Sequence, residues 1–256
     1  MKPFEVRELD KELVVRFSDK TVVLPEEIQE KIDTYWEGLL ASGKNYRRGE
    51  VFTVTHVDES ADRIDVLVEK SDYAHYLYCQ NVDTLGECGV RIIHTACLVI
   101  TSDNKAVLGE MGPQTARAGM YQLCGGGIEL KNLRGDVFDF DENITEELEE
   151  ELDIEVEDVS RVKSFTKKYL KSGGPTGKMA VVYEVVLHET EEVFLESYKR
   201  FEQELIKRGE DPEFERIVTL DLNKKDEIEH FLTENKERCD EYIEPLFYHL
   251  TLDIKA

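Results

Sequence analysis

Hydrophobic positions in the first third of the chain predict a small unit of strands and one helix. Apolar residues recur at helical spacing from Ile28 to Leu40, so an amphipathic helix is expected to begin near Pro25 and to end near Gly43. Strands are predicted around it, as two short strands within residues 13–23 and further strands at 51–57 and 63–68. These elements predict a small α+β domain over residues 1–86.

The apolar pattern restarts after a polar stretch at residues 80–89, which is the predicted domain boundary. A near-continuous apolar run at residues 91–100 predicts a buried strand that forms a hairpin with the next strand. The remaining predicted elements are strands at 106–109, 162–169, 179–187 and 217–220, a helix at 143–152, and three later helical stretches. Residues 87–256 are therefore expected to form a second, larger α/β domain.

The charge of the chain restricts its partners. Asp and Glu total 56 against 32 Lys and Arg, a formal net charge of -24. Such a field repels nucleic-acid backbones and anionic membranes, so neither is expected as a partner. The five cysteines are irregularly spaced, and no 18-residue apolar stretch or signal-peptide core is visible. A cytoplasmic location is expected, and a phosphate-bearing ligand would need a local positive centre such as a cation.

Candidate chemistry lies in a glycine run followed by an acidic helix. On a helical wheel Ile144, Leu148 and Leu152 form one apolar stripe, with Glu147 and Glu151 at its flank. Inward-facing like charges destabilise a helix, and a divalent cation held by oxygen ligands would offset their repulsion. The alternative is a solvated acidic helix face. Three successive glycines upstream, Gly125 to Gly127, favour a ligand site because they permit close approach of the backbone.

The order of strand, glycine loop and acidic helix resembles the Nudix box. Gly126 matches its first position, and its later positions are matched by Glu147, Leu148, Glu150, Glu151 and Ile154. The resemblance implies an α/β/α sandwich with a mixed sheet, preceded here by the small N-terminal domain. It also implies metal ligands at the Gly126 carbonyl, Glu147, Glu150 and Glu151, with Mg²⁺ as the cofactor and Mn²⁺ as the alternative. Glu147 and Glu150 are the expected catalytic residues, and Gly125 and Gly127 are expected to contact substrate.

The match to the box is incomplete. Glu146 replaces the family arginine, Asp153 replaces the late glycine, and Asn132 stands where the first glutamate is expected. The interval before the helix is also longer, which predicts a surface-loop insertion at residues 131–139. Asn143 and Glu146 have the spacing of a capping box, so Glu146 is interpreted as part of the helix start.

Further candidates lie outside the motif. Arg117 precedes the glycine loop and is predicted to contact a substrate phosphate, the alternative being an exposed surface arginine. Glu213 and Glu215 are alternative general bases, although solvated loop charges are favoured for both. Tyr73 and Tyr76 are interpreted as packing residues rather than base-stacking ones. The helical stretch at 191–208 is interpreted as a lid or a dimer element, and a homodimer is left open.

These features favour metal-dependent hydrolysis of a nucleoside diphosphate linked to another group. The expected partner is a small-molecule nucleotide substrate, and a nucleotide sugar is preferred. The alternative is a Nudix-like nucleotide-binding or regulatory protein with weak or no catalysis, which the substitutions at Glu146 and Asp153 favour. A plain acidic scaffold does not explain the glycine loop.

Overall fold

A seven-stranded mixed sheet forms the centre of the protein, for which a computed structural model describes residues 4–251. Its strands are β1 (Glu5–Glu8), β5 (Ile93–Ile100), β6 (Lys105–Met111), β7 (Tyr121–Gln122), β10 (Val162–Ser172), β11 (Met179–Leu187) and β12 (Phe214–Asp221). They are ordered β1-β10-β11-β5-β6-β12, and β7 pairs with β6. Only β11 and β5 run parallel, so the sheet is mixed, as expected.

Helices cover both faces of this sheet. These helices are α3 (Phe140–Leu152), α4 (Glu191–Arg208), α5 (Lys225–Glu234) and α6 (Ile243–Thr251). Alternate residues of β5 enter different cores: Cys97 and Val99 pack with α3 and α4, whereas Leu98 packs with α5 and α6. This two-sided burial explains the continuous apolar run in the sequence, because side chains of a strand alternate between the faces. The predicted α/β/α sandwich is confirmed.

A five-stranded sheet lies mostly in the N-terminal third. Its strands are β2 (Glu12–Thr21), β3 (Glu50–Glu59), β4 (Arg63–Asp72), β8 (Leu133–Arg134) and β9 (Val137–Phe138), in the order β3-β4-β2-β9-β8. The prediction of two short strands at 13–23 is wrong, because β2 is continuous and absorbs a register shift near Asp19, whose φ is 58°. Helices α1 (Glu26–Ala41) and α2 (Tyr73–Asn81) pack against each other through Ile32, Trp36 and Tyr78.

The predicted surface-loop insertion is instead part of the fold. Strands β8 and β9 form a hairpin, and Val137 of β9 pairs with Arg16 of β2. Phe138 is buried and contacts Phe52 with ring centroids 4.8 Å apart. Strand β1, in turn, joins the central sheet through β10. Each sheet thus takes strands from the other part of the chain, and a domain boundary near residue 86 stays a prediction.

Within residues 4–251, no helix combines the length and the apolar composition that crossing a bilayer requires.

Candidate active site

The glycine loop is bound to the central strand β5. The Gly126 carbonyl accepts a hydrogen bond from the Thr95 backbone N–H at 3.0 Å, and the Gly126 backbone N–H donates to the Thr95 hydroxyl at 3.4 Å. Gly125 has a φ of 143°, and a Cβ there would overlap the backbone of Thr95 and Ala96. Only glycine fits this position, because other residues rarely adopt such a φ and here have no space. The loop therefore has one fixed path.

Asn143 connects helix α3 to this loop, and its predicted role as a helix cap is wrong. The helix begins one turn earlier, where the Asp139 carboxylate accepts from the Glu142 backbone N–H at 3.0 Å. Asn143 is instead buried inside the first turns. Its Oδ1 accepts from the Thr95 hydroxyl at 2.6 Å, and its Nδ2 donates to the Gly127 carbonyl at 3.1 Å. The buried amide thus fixes the helix, the strand and the loop relative to one another.

Helix α3 turns two glutamates towards the glycine loop, as the helical wheel predicts. The Glu147 carboxylate lies beside the Cα of Gly126, in the space that a Cβ would fill. Glu151 is buried, with 5% of its surface exposed, and its Oε2 accepts from the Gly125 backbone N–H at 3.1 Å. Burial, together with the charges of Glu213 and Glu150, raises the pKa of Glu147 to about 7. Burial, together with the charges of Glu213 and Glu147, raises the pKa of Glu151 well above its ordinary value.

A third carboxylate comes from a distant part of the sequence. Glu213 directly precedes β12, and its carboxyl group lies close enough to Glu151 to raise the pKa of that residue. Although the residue is exposed at the surface, its carboxyl group is sufficiently surrounded by protein that desolvation raises its pKa. Glu150 is exposed and lies near enough to raise the pKa of Glu147. The sequence contained Glu213 only as a weak alternative, because nothing local to it indicates its proximity to α3.

The carboxylates fit a hard cation in charge and donor type. Within residues 4–251, no Lys or Arg nitrogen lies within 4.0 Å of a carboxylate oxygen of Glu147, Glu151 or Glu213, so no direct ion pair neutralises them, and the more distant Lys131 only partly offsets the rise in the pKa of Glu147. All three offer oxygen ligands, which Mg²⁺ prefers. In the same range, no three acidic, His or Cys side chains already enclose an ion position. Binding would therefore require these side chains to adjust, and the Gly126 carbonyl is already engaged by Thr95.

The two departures from the box each have a structural role. Glu146 accepts a hydrogen bond from Asn132 Nδ2 at 3.0 Å and pairs with Lys131 at 3.3 Å, so it anchors the inserted hairpin. Asp153 lies at the C-terminal cap of α3 with a φ of 54°. A left-handed residue commonly ends a helix, and glycine suits it best, which accounts for the family preference at this position.

A cavity of about 820 Å³ extends from the carboxylates across the glycine loop. Glu147 and Glu213 line one part of it, and Tyr73 and Tyr76 of helix α2 line another. Arg117 also lines the cavity, but its guanidinium pairs with Asp240 at 2.6 Å. The predicted substrate-contact residues Arg117 and Gly127 thus share a cavity with the carboxylates. The sequence did not assign α2 to the site, because its tyrosines are indistinguishable from packing residues in the chain.

Comparison with known proteins gives similarity in structure only. No family model matches the chain, and no curated protein matches its sequence. DR0079 from Deinococcus radiodurans is 14% identical with a TM-score of 0.41, covering 62% of this chain and 83% of that one. A MutT protein from Methanosarcina mazei is 13% identical with a TM-score of 0.36, and a Nudix hydrolase from Nitrosomonas europaea is 12% identical with a TM-score of 0.35. Both of these alignments cover 65% of this chain and 96% of the other, and the last structure bears the name of the family whose box the sequence resembles.

Proposed function

We propose that this protein is a Nudix-type hydrolase that cleaves the diphosphate of a nucleoside diphosphate linked to another group. The observation that carries the proposal is the convergence of Glu147, Glu151 and Glu213 on the glycine loop without a basic partner in the described residues. Desolvation raises the pKa of all three carboxyl groups, and Glu213 further raises those of Glu147 and Glu151, so the ionised cluster is costly unless a cation or a proton neutralises it. Such perturbed groups in a large cavity are typical of active sites.

The carboxylates have separate roles in this proposal. Glu147, Glu150 and Glu151 would hold Mg²⁺, with Mn²⁺ as a substitute, and the Gly125 N–H orients Glu151. A metal bound there would neutralise diphosphate charge and lower the pKa of a bound water. Glu213 accepts the proton from the attacking water, because its carboxyl group has a raised pKa and remains accessible at the surface. In this assignment Glu147 is primarily a metal ligand, and it is the alternative to Glu213 as the general base.

The cavity supports a nucleotide as the substrate. Its walls combine the carboxylates with apolar and aromatic side chains, which suit a diphosphate joined to a planar base. The larger apolar and aromatic members include Phe52, Tyr73, Tyr76, Leu77, Ile92, Met111, Met120 and Ile128. Pockets of this size that combine apolar walls with a few polar groups commonly hold small-molecule ligands.

Product release from a nucleotide panel tests the proposal. The panel contains nucleoside diphosphate sugars, dinucleoside polyphosphates and nucleoside triphosphates, each with Mg²⁺, Mn²⁺ or a chelator. We expect chelator-sensitive cleavage of the diphosphate sugars. Full activity in chelator, or cleavage unaffected by Glu147→Gln and Glu151→Gln in a folded protein, would refute the assignment of these carboxylates.

A catalytically inactive nucleotide-binding protein is the second candidate. The observation that favours it is the use of Glu146 to anchor the hairpin, since a glutamate there cannot replace the ion pair of the family arginine. Nucleotide binding measured by calorimetry, without turnover of any panel member, is the result that would select it.

A further inference from the structure

A second, smaller cavity of about 130 Å³ lies behind the glycine loop. Asp240, Lys178, His94 and Arg117 line it together with the glycines, and the first two are at least nine-tenths buried. Arg117 and Tyr76 line both this cavity and the larger one, so the two spaces are adjacent. A substrate with its diphosphate at the carboxylates is therefore within reach of this second cavity.

Asp240 and Lys178 retain unused hydrogen-bonding capacity. Asp240 Oδ2 pairs with Arg117 at 2.6 Å, whereas its Oδ1 has no hydrogen-bond partner among residues 4–251. The Lys178 ammonium has a single side-chain contact in that range, with the Tyr76 hydroxyl at 3.4 Å, and no carboxylate within 4.0 Å. Buried polar groups are nearly always satisfied, and each unsatisfied one is costly. A ligand that supplies both a donor and an acceptor would satisfy both residues.

His94 adds a second acceptor. Its Nδ1 lies 3.0 Å from the Thr95 carbonyl oxygen, and because a carbonyl can only accept, Nδ1 carries the proton. Burial lowers the pKa of His94 to about 4, so its ring is neutral and Nε2 has a free lone pair at neutral pH. The cavity thus presents donors from Lys178 and Arg117 and acceptors from Asp240 and His94.

This combination distinguishes between ligand groups. A phosphate offers only acceptors and would oppose the Asp240 carboxylate, and an alkyl group would satisfy none of the polar atoms. A base has edges that donate and accept, but it also needs a free aromatic face to stack on, and the Tyr76 ring already contacts two neighbours. Lys178 Nζ lies 5.3 Å from its centroid, and the Tyr73 ring stacks on it at 5.8 Å. Neighbouring hydroxyl groups donate and accept together and need no stacking surface.

We propose that Asp240, Lys178 and His94 form a subsite for the hydroxyl groups of a sugar or polyol attached to the diphosphate. The proposal rests on the proposed function in taking the carboxylates as the diphosphate site. A site built to hydrogen-bond a hydroxyl discriminates strongly against an analogue that lacks it, by up to about 10⁴-fold.

Equilibrium binding with Ca²⁺ in place of Mg²⁺ tests the subsite separately from catalysis, because Ca²⁺ also binds oxygen ligands but lacks the strict octahedral geometry of Mg²⁺. The probes are ADP-ribose and UDP-glucose, each paired with the methyl ester of the same nucleoside diphosphate. We expect each sugar nucleotide to bind at least about tenfold more tightly than its methyl ester. In Asp240→Asn, one orientation of the amide replaces the free acceptor Oδ1 with a donor. We therefore expect the ratio of sugar-nucleotide affinity to methyl-ester affinity to fall about tenfold.

Controls separate this subsite from general effects. Asp221 pairs with Lys105 at 2.6 Å, and both residues lie outside the two cavities. Asp221→Asn should therefore leave the ratio of sugar-nucleotide to methyl-ester affinity unchanged. If Asp240→Asn does not fold, as judged by thermal unfolding, Lys178→Gln provides the same ratio test. A ratio near one in the unmodified protein overturns the proposal. So does a folded Asp240→Asn protein that keeps the ratio or changes only the discrimination between bases.

The failure of this proposal can be distinguished from that of the proposed function. A sugar preference that Asp240→Asn abolishes, without Mg²⁺-dependent cleavage, supports the subsite and refutes the hydrolase. Cleavage without any sugar preference in binding supports the hydrolase and refutes the subsite.

Discussion

The carboxylate of Glu147 occupies the space beside the Cα of Gly126 that any larger residue would need for its Cβ. The two positions are separated by the inserted hairpin and the first turns of α3, yet they meet because Asn143 binds the helix to the loop. Glycine is therefore needed at position 126 because the Glu147 carboxylate leaves no space for a side chain.

Gly126→Ala is expected to displace the Glu147 carboxylate and to weaken metal binding. Loss of a group that orients a metal ligand typically costs about 10–100-fold in affinity, and we expect a loss in this range. Titration calorimetry with Mg²⁺ measures it. Gly127→Ala, at a position where a Cβ meets nothing within 4 Å, should retain the thermal stability of the unmodified protein. Unchanged Mg²⁺ affinity in folded Gly126→Ala would contradict this relationship.

The metal-free protein is expected to lose stability as the pH rises through the pKa of Glu147. That pKa is raised from 4.5 to about 7, so between these values the folded protein retains a proton that the unfolded chain has released. The stabilisation is complete below about pH 4.5 and is lost as the pH rises through about 7, at about 1.4 kcal/mol for each unit of pKa shift.

Urea denaturation in chelator at about pH 5 and about pH 8 measures this dependence. Glu147→Gln should reduce the difference in unfolding free energy between the two conditions, because glutamine does not titrate. Added Mg²⁺ should restore stability at the higher pH by binding the ionised folded form. An equal pH dependence in Glu147→Gln would show that this carboxyl group does not hold a proton in the folded state.

Glu213→Gln is expected to lower kcat more than it lowers substrate affinity. A general base contributes about 10²–10⁴-fold to the rate, and an amide cannot accept the proton. Steady-state kinetics on the best panel substrate measures the change. Glu215→Gln is the matched control, because Glu215 is exposed and lines neither cavity. Equal kcat values for the two variants would exclude Glu213 as the base.

Asp153→Gly is expected to stabilise the protein. The left-handed conformation at φ 54° costs a residue with a Cβ roughly 1 kcal/mol, and an acidic side chain at a helix C-terminus is also unfavourable. Part of this gain is lost because glycine has more freedom in the unfolded chain. Chemical denaturation should show an increase of up to about 1 kcal/mol for Asp153→Gly and none for Asp153→Ala. A decrease for the glycine variant would contradict the interpretation.

The spacing of apolar residues along the chain determined most of the secondary structure and which face of α3 is buried. Apolar spacing predicted the long strands of the central sheet but not β1, and it predicted the long helix Glu191–Arg208 and the inward position of Glu147 and Glu151. These predictions succeeded because strand and helix periodicities are local, and the burial of a face follows from them. The start of α3 was misplaced because two residues, Asp139 and Asn143, both suit a helix cap, and only packing turned Asn143 inward.

Only the tertiary structure decided which distant residues complete the site. Glu213 approaches Glu151 because β12 pairs with β6 at the edge of the central sheet, a pairing that no local pattern encodes. Asp240 and Lys178 meet behind the glycine loop for the same reason, since long-range packing brings together segments of ordinary composition. Sequence periodicity therefore determined the scaffold and two carboxylates, whereas chain topology determined the third carboxylate and the chemistry of the second cavity.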